Sequence, residues 1–116
     1  VPSHCSLMKE AASDFKNSID RIDFKMSDVK VIHNVDANYA SDINDIKSKL
    51  VEQLYMPVHW TSSVNKMKEL GVEMLIESGP GKVLSGLTRR IDKSFVASAI
   101  IDVSSLKSTI EEMSNA

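Results

Sequence analysis

The sequence predicts an α/β fold with a short parallel sheet and flanking helices. Three observations predict it. Strand-like apolar or β-branched runs fall at residues 29–35, 72–76 and 95–101. Apolar residues between and around them recur at helical three- and four-residue steps. The connections are of helix length rather than tight turns, so the strands pair in parallel through right-handed crossovers. The 116 residues, 42% hydrophobic and 26% charged, fit one domain or a piece of one.

The elements follow in order. Leu7, Met8, Ala11, Phe15, Ile19 and Ile22 mark one face of a helix over residues 6–22, with Lys9, Ser13, Asp14, Lys16, Asn17, Asp20 and Arg21 on the other. The first strand, residues 29–35, runs into the turn-forming stretch of residues 34–38. Ser41 is expected to cap a second helix through Ile43, Ile46, Leu50 and Leu54, with Asp42 and Asp45 at the positive end of its dipole and Pro57 as its stop. A third helix begins at Thr61, turns Val64, Met67 and Leu70 inward, and ends at Gly71 as a left-handed cap. Residues 72–76 form the second strand. The Gly79-Pro80-Gly81 turn leads to a helix over residues 83–91 that buries Leu84 with Leu87 or Ile91. Residues 95–101 form the third strand, and Ser104 or Ser105 caps a last helix carrying Leu106, Ile110 and Met113. Three strands make a thin sheet with at least one edge to be covered, as expected of part of a larger sheet.

Composition narrows the function. Fourteen Lys and Arg against 16 Asp and Glu leave a net charge of −2 with no basic stripe, which argues against a nucleic-acid partner. No apolar run approaches the roughly 18 to 20 residues a membrane span needs. A single cysteine and no signal-like start make the cytoplasm the expected address, and the opening Val1 in place of Met implies processing or a start further upstream.

Few groups carry chemistry. His4 precedes Cys5, and adjacent side chains at a helix start point roughly 100° apart, so they do not make a thiolate–imidazole pair. His4, Cys5, His33 and His59 lack the paired short spacings of a zinc site. Neither Ser78 nor Ser85 sits in the G-x-S-x-G pattern of a nucleophile elbow. The Gly79-Pro80-Gly81-Lys82 turn could aim N–H groups at an anion, but a plain strand-to-helix turn needs the same residues. His33 and His59 each read as a hydrogen-bonded or surface histidine rather than a catalyst.

Three segments add a specific resemblance. They are Val1-Pro2-Ser3-His4-Cys5-Ser6-Leu7-Met8, then residues 51–60 (Val-Glu-Gln-Leu-Tyr-Met-Pro-Val-His-Trp), then Ile76-Glu77-Ser78-Gly79-Pro80-Gly81-Lys82-Val83-Leu84-Ser85-Gly86-Leu87. They resemble the PSHC-LM, QLY-PV-W and E-GPGKVL-GL signatures of bacterial malonyl-CoA:acyl carrier protein transacylase. Residues 31–37, Val-Ile-His-Asn-Val-Asp-Ala, are similar to its VxNVD segment, in the right order.

The resemblance implies that residues 1–116 are the C-terminal part of an α/β-hydrolase-like acyltransferase large subdomain. The nucleophilic serine, the arginine for the malonyl carboxylate, the oxyanion-hole donors and most of the small ferredoxin-like subdomain would lie upstream. The implied reaction moves malonyl from malonyl-CoA, through a malonyl-serine ester, to the phosphopantetheine thiol of acyl carrier protein in fatty acid biosynthesis, with no metal or other cofactor. His4 is implied as the general base and the backbone carbonyl of Gln53 as the acceptor that orients it. Ser3 either lines the acyl pocket or merely begins the helix. Lys82, Arg89 or Arg90 either touch the acidic carrier or are solvated. Implied partners are malonyl-CoA, acyl carrier protein and the serine-bearing half, without which these residues are expected to be inactive. The alternatives are an acyltransferase domain of a polyketide synthase and a non-catalytic interaction fragment.

Overall fold

The computed structural model describes residues 2–115, which form two compact units that divide inside a helix, after Lys66. In the first unit a 3₁₀ turn, Ser6–Met8, leads into α1, Lys9–Ile19, which buries Ala12 and Ile19 and packs on α2, Ile43–Glu52. The helix expected to reach Ile22 stops three residues earlier. Arg21 and Ile22 bond back to Ser18 and Ile19 in tight i→i+3 turns, and Ile22 is 54% exposed, so no burial draws the helix onward.

The strand expected over residues 29–35 is shorter and differently paired. β1, Ile32–His33, runs antiparallel to β2, Asn38–Tyr39, with Ile32 opposite Tyr39. The reversal follows from the turn residues. Ala37 adopts the left-handed region (φ 56°), its N–H donates to the His33 carbonyl, and Asp36 accepts from the Asn38 N–H. Val29 and Val31 stay exposed beside this hairpin.

The cap of α2 is Asp42, not Ser41. Its extended backbone (φ −155°, ψ 178°) aims the carboxylate at the Asp45 N–H, 2.8 Å away. Ser41, one residue too early to reach that donor, instead gives its own N–H to the Asp45 carboxylate at 2.9 Å. One turn further on, Lys49 is buried at 7% exposure, with its ammonium 2.7 Å from Asp36, 3.6 Å from Asp45 and 3.4 Å from the Tyr39 carbonyl. Burial alone would lower its pKa, but the hydrogen bond and charge of Asp36, joined by Asp45, outweigh it and hold the ammonium above its usual value. This tie fastens α2 to the hairpin.

α3, Trp60–Glu69, bridges the two units and begins one residue before the expected Thr61. Gly71 takes the left-handed conformation (φ 82°) that ends it, with the Val72 N–H returning to the Met67 carbonyl at 3.0 Å. In the second unit β3, Met74–Ser78, lies parallel to β4, Val96–Ile100, in register from Met74 opposite Val96 to Ser78 opposite Ile100. Between them runs α4, Val83–Ile91, and after them α5, Val103–Ser114.

Glu77, on β3, caps α4 from outside the helix. Its carboxylate accepts from the Leu84 N–H (3.2 Å), the Ser85 N–H (2.8 Å) and the Ser85 hydroxyl (2.7 Å), and the Ser85 backbone bond leads the contacts that hold its pKa down. α5 is capped by Asp102 in a reciprocal box with Ser105, rather than by Ser104 or Ser105. The expected buried faces are also corrected. Ser85, Thr88 and Thr109 are buried, while Leu70, Leu84, Leu87, Leu106, Ile110 and Met113 are exposed. A two-stranded sheet covers a narrow strip of each helix, and the small residues face it.

The unequal exposure of the Lys49 pair makes a test. Removing Asp36 leaves a buried ammonium short of its nearest counter-charge, whereas removing Lys49 leaves a half-exposed carboxylate that water can solvate. Asp36→Ala is expected to cost about 3 kcal/mol, and Lys49→Met, which keeps the apolar stem, about 1 kcal/mol or less. Urea midpoints of the two variants decide it, and equal losses would refute the burial argument.

Candidate active site

His4 lies in the irregular segment before the 3₁₀ turn, and its backbone is left-handed (φ 55°), unusual for a residue with a Cβ. Two carbonyls at the C-terminal end of α2 hold it there. Its backbone N–H donates to the Leu54 carbonyl at 3.0 Å, and its ring Nδ1 lies 2.6 Å from the Gln53 carbonyl oxygen. A carbonyl can only accept, so Nδ1 carries the proton and donates. Nε2 is then the lone-pair nitrogen of the neutral ring. His4 is exposed, and Gln53 is half-buried. The ring is thus oriented with one nitrogen available to take a proton.

These contacts bring together two positions 49 residues apart in the chain. No spacing rule indicates such a pair, and the Leu54 carbonyl, the second anchor, has no signal of its own beyond adjacency to Gln53. Ser3 is exposed next to His4. Cys5 is a free, half-buried thiol. Ser85 is engaged, donating its hydroxyl to Glu77, while Ser78 is exposed at the end of β3. The three cations Lys82, Arg89 and Arg90 are all exposed, and Arg89 turns its guanidinium onto the Ala97 carbonyl.

His33 and His59 are framework residues. The His59 backbone N–H donates to the Asn34 carbonyl at 2.9 Å, and its carbonyl accepts from the Ser63 N–H and hydroxyl, starting α3. His33 is buried at 6% exposure; that burial, then the charge of Lys49, holds its pKa below the usual histidine value. Among the described residues no group of three or more His, Cys, Asp or Glu is placed to hold a metal ion, and no helix is long and apolar enough to cross a membrane.

Comparison with known proteins gives a consistent result. The malonyl CoA-acyl carrier protein transacylase of Escherichia coli (strain K12) is 46% identical over 111 residues, which cover 96% of this chain and 36% of that protein. The crystal structure of the malonyl-CoA:acyl carrier protein transacylase of Xanthomonas oryzae pv. oryzae matches with a TM-score of 0.91 at 38% identity, over 97% of this chain and 36% of that one. A malonyl-transacylase solved in complex with a type II polyketide synthase acyl-carrier protein matches equally well, with a TM-score of 0.91 at 43% identity over the same shares. No family model matches the chain. The fold is that of an acyltransferase. Within that class the chain is a homologue of the malonyl CoA-acyl carrier protein transacylases, and it spans about a third of their length.

The buried imidazole has a measurable consequence. Because the folded state holds His33 neutral below the pH at which the unfolded chain protonates it, its contribution to stability is complete above about pH 6.5 and is lost as the pH falls from there through the lowered folded value. In thermal melts between pH 7 and pH 5, His33→Gln is expected to flatten this acid-side decline. An unchanged pH dependence would show that His33 does not cause it.

Proposed function

We propose that this chain is the base-bearing portion of a malonyl-CoA:acyl carrier protein transacylase of fatty acid biosynthesis, with the nucleophilic serine supplied by residues outside these 116. The observation that carries the reading is the 2.6 Å contact of His4 Nδ1 with the Gln53 carbonyl, which leaves Nε2 to move protons. In the first half-reaction His4 Nε2 takes the serine proton as the oxygen attacks the thioester carbonyl of malonyl-CoA. The proton then passes to the departing CoA sulfur, leaving a malonyl-serine ester. In the second, Nε2 takes the proton of the phosphopantetheine thiol, the sulfur attacks the ester, and the serine oxygen recovers a proton from the imidazolium. This chemistry calls for no metal or other cofactor. A main-chain acceptor orients the ring, in the role that a carboxylate has in a Ser-His-Asp triad.

The carrier protein is the proposed partner, met by Lys82 and Arg90; Arg89, turned onto Ala97, contributes less. Ser3, exposed beside the base, is proposed to border the acyl pocket. A second reading, the same transfer onto a polyketide-synthase carrier, is favoured by the 43% likeness to the transacylase solved with such a carrier.

Transfer of labelled malonyl from CoA to holo-carrier protein tests the proposal, using the chain alone and with a serine-bearing segment from a relative supplied in trans. Activity only on complementation is expected; activity from the chain alone would overturn it. In the complemented system His4→Ala is expected to lower the rate by about 10²- to 10⁴-fold. Gln53→Ala, which keeps the backbone carbonyl, should stay within about twofold of the parent. Equal losses in both variants would count against a backbone acceptor.

A further inference from the structure

The Gln53 carbonyl is free to hold His4 for a reason visible in the chain itself. In an α-helix each carbonyl accepts from the N–H four residues on. Past the last residue of α2 the ladder tightens into a turn: the Leu54 and Tyr55 N–H groups bond three residues back, to the Val51 and Glu52 carbonyls, while the Gln53 N–H still reaches the Lys49 carbonyl at 3.0 Å and the Met56 N–H the Glu52 carbonyl at 2.9 Å. The next donor, for the Gln53 carbonyl, would be residue 57. That residue is Pro57, which has no N–H. A proline also disfavours the helical conformation of the residue before it, here Met56, so the turn after α2 is not drawn back into a helix. Gln53 keeps helical dihedrals (φ −60°, ψ −20°), so its carbonyl points where a helical donor would have been. His4 Nδ1 stands there at 2.6 Å.

We infer that Pro57 is a positioning residue for His4: by withholding an N–H that could bond to the Gln53 carbonyl from four residues on, it reserves that carbonyl for the imidazole and so selects the Nδ1–H tautomer. The tautomer follows from the position of the ring alone. Its consequence for rate rests on the proposal that His4 is the base. A carbonyl has two lone pairs, so a competing N–H at position 57 weakens the contact to the ring rather than abolishing it.

The test uses the full chain with ¹⁵N-labelled histidine, reading the His4 ring nitrogens at a pH where the imidazole is neutral. The parent is expected to show protonated Nδ1 and unprotonated Nε2. Pro57→Ala, which restores a donor, is expected to move both signals towards a mixture of tautomers. A third chain carries lactic acid at position 57 through an ester bond, removing both the ring and the N–H, and is expected to keep the parent pattern. Parent-like signals in Pro57→Ala overturn the inference, as does an ester chain that behaves like the alanine variant. Should Pro57→Ala fail to fold, the ester chain decides alone, its parent-like pattern supporting the inference and a mixed one refuting it. In the complemented transfer assay Pro57→Ala should lose up to about tenfold in rate. A tautomer shift without any loss of rate would leave the role of Pro57 standing and reject His4 as the base.

Discussion

A helix that runs into a proline leaves carbonyl groups without helical donors, and those groups must be satisfied from elsewhere. At the end of α2 two of these groups, the Gln53 and Leu54 carbonyls, are satisfied by one residue. His4 gives its ring N–H to Gln53 and its backbone N–H to Leu54, so a segment with no regular structure of its own is held at two points. Such a double anchor can offset a left-handed backbone, which costs roughly 1–2 kcal/mol at a residue bearing a Cβ. The ring orientation, the tautomer and the entry of the chain into α1 all depend on where α2 stops.

α2 is itself fixed from the other end and from the side. Asp42 and Asp45 satisfy its first turn, and the Lys49 ammonium ties the turn before Gln53 to Asp36 in the hairpin. The hairpin in turn accepts the His59 N–H at Asn34, where α3 starts. One buried cation thus connects the turn of residues 34–37 to the helix whose end holds His4. In the second unit Glu77 does a comparable job without a cation, using a strand carboxylate to satisfy the first turn of α4.

Helices α2 to α5 and the parallel β3–β4 pair were legible because apolar periodicity and the Gly71 and Pro57 punctuation act locally. The caps were misplaced by one to three residues, since Ser41, Asp42, Ser104 and Ser105 are all good capping types and only backbone geometry decides among them. The strand at residues 29–35 was misread for a different reason. Its β-branched run is a real strand signal, but Asn34, Asp36 and Ala37 turn the chain back on itself, and no strand of the described residues lies alongside Val29 and Val31. The faces of α4 and α5 were assigned by hydrophobicity, yet a two-stranded sheet covers only the strip carrying Ser85, Thr88 and Thr109. At the site, the pairing of His4 with Gln53 came only from the family resemblance, because no local rule links residues 49 apart.

The same contact shows why a functional residue can be hard to see in a sequence. The group that orients His4 belongs to the backbone, which every amino acid at position 53 would supply, so the identity of Gln53 carries little information about the hydrogen bond. What the sequence can specify is whether that carbonyl is available. That depends on the residue four positions later, where only proline lacks the competing donor. Selection for an oriented imidazole would therefore act on position 57 more directly than on the residue that makes the contact. The chemical signature of this site is a histidine and a proline that act on the same peptide carbonyl, one by donating to it and the other by not doing so.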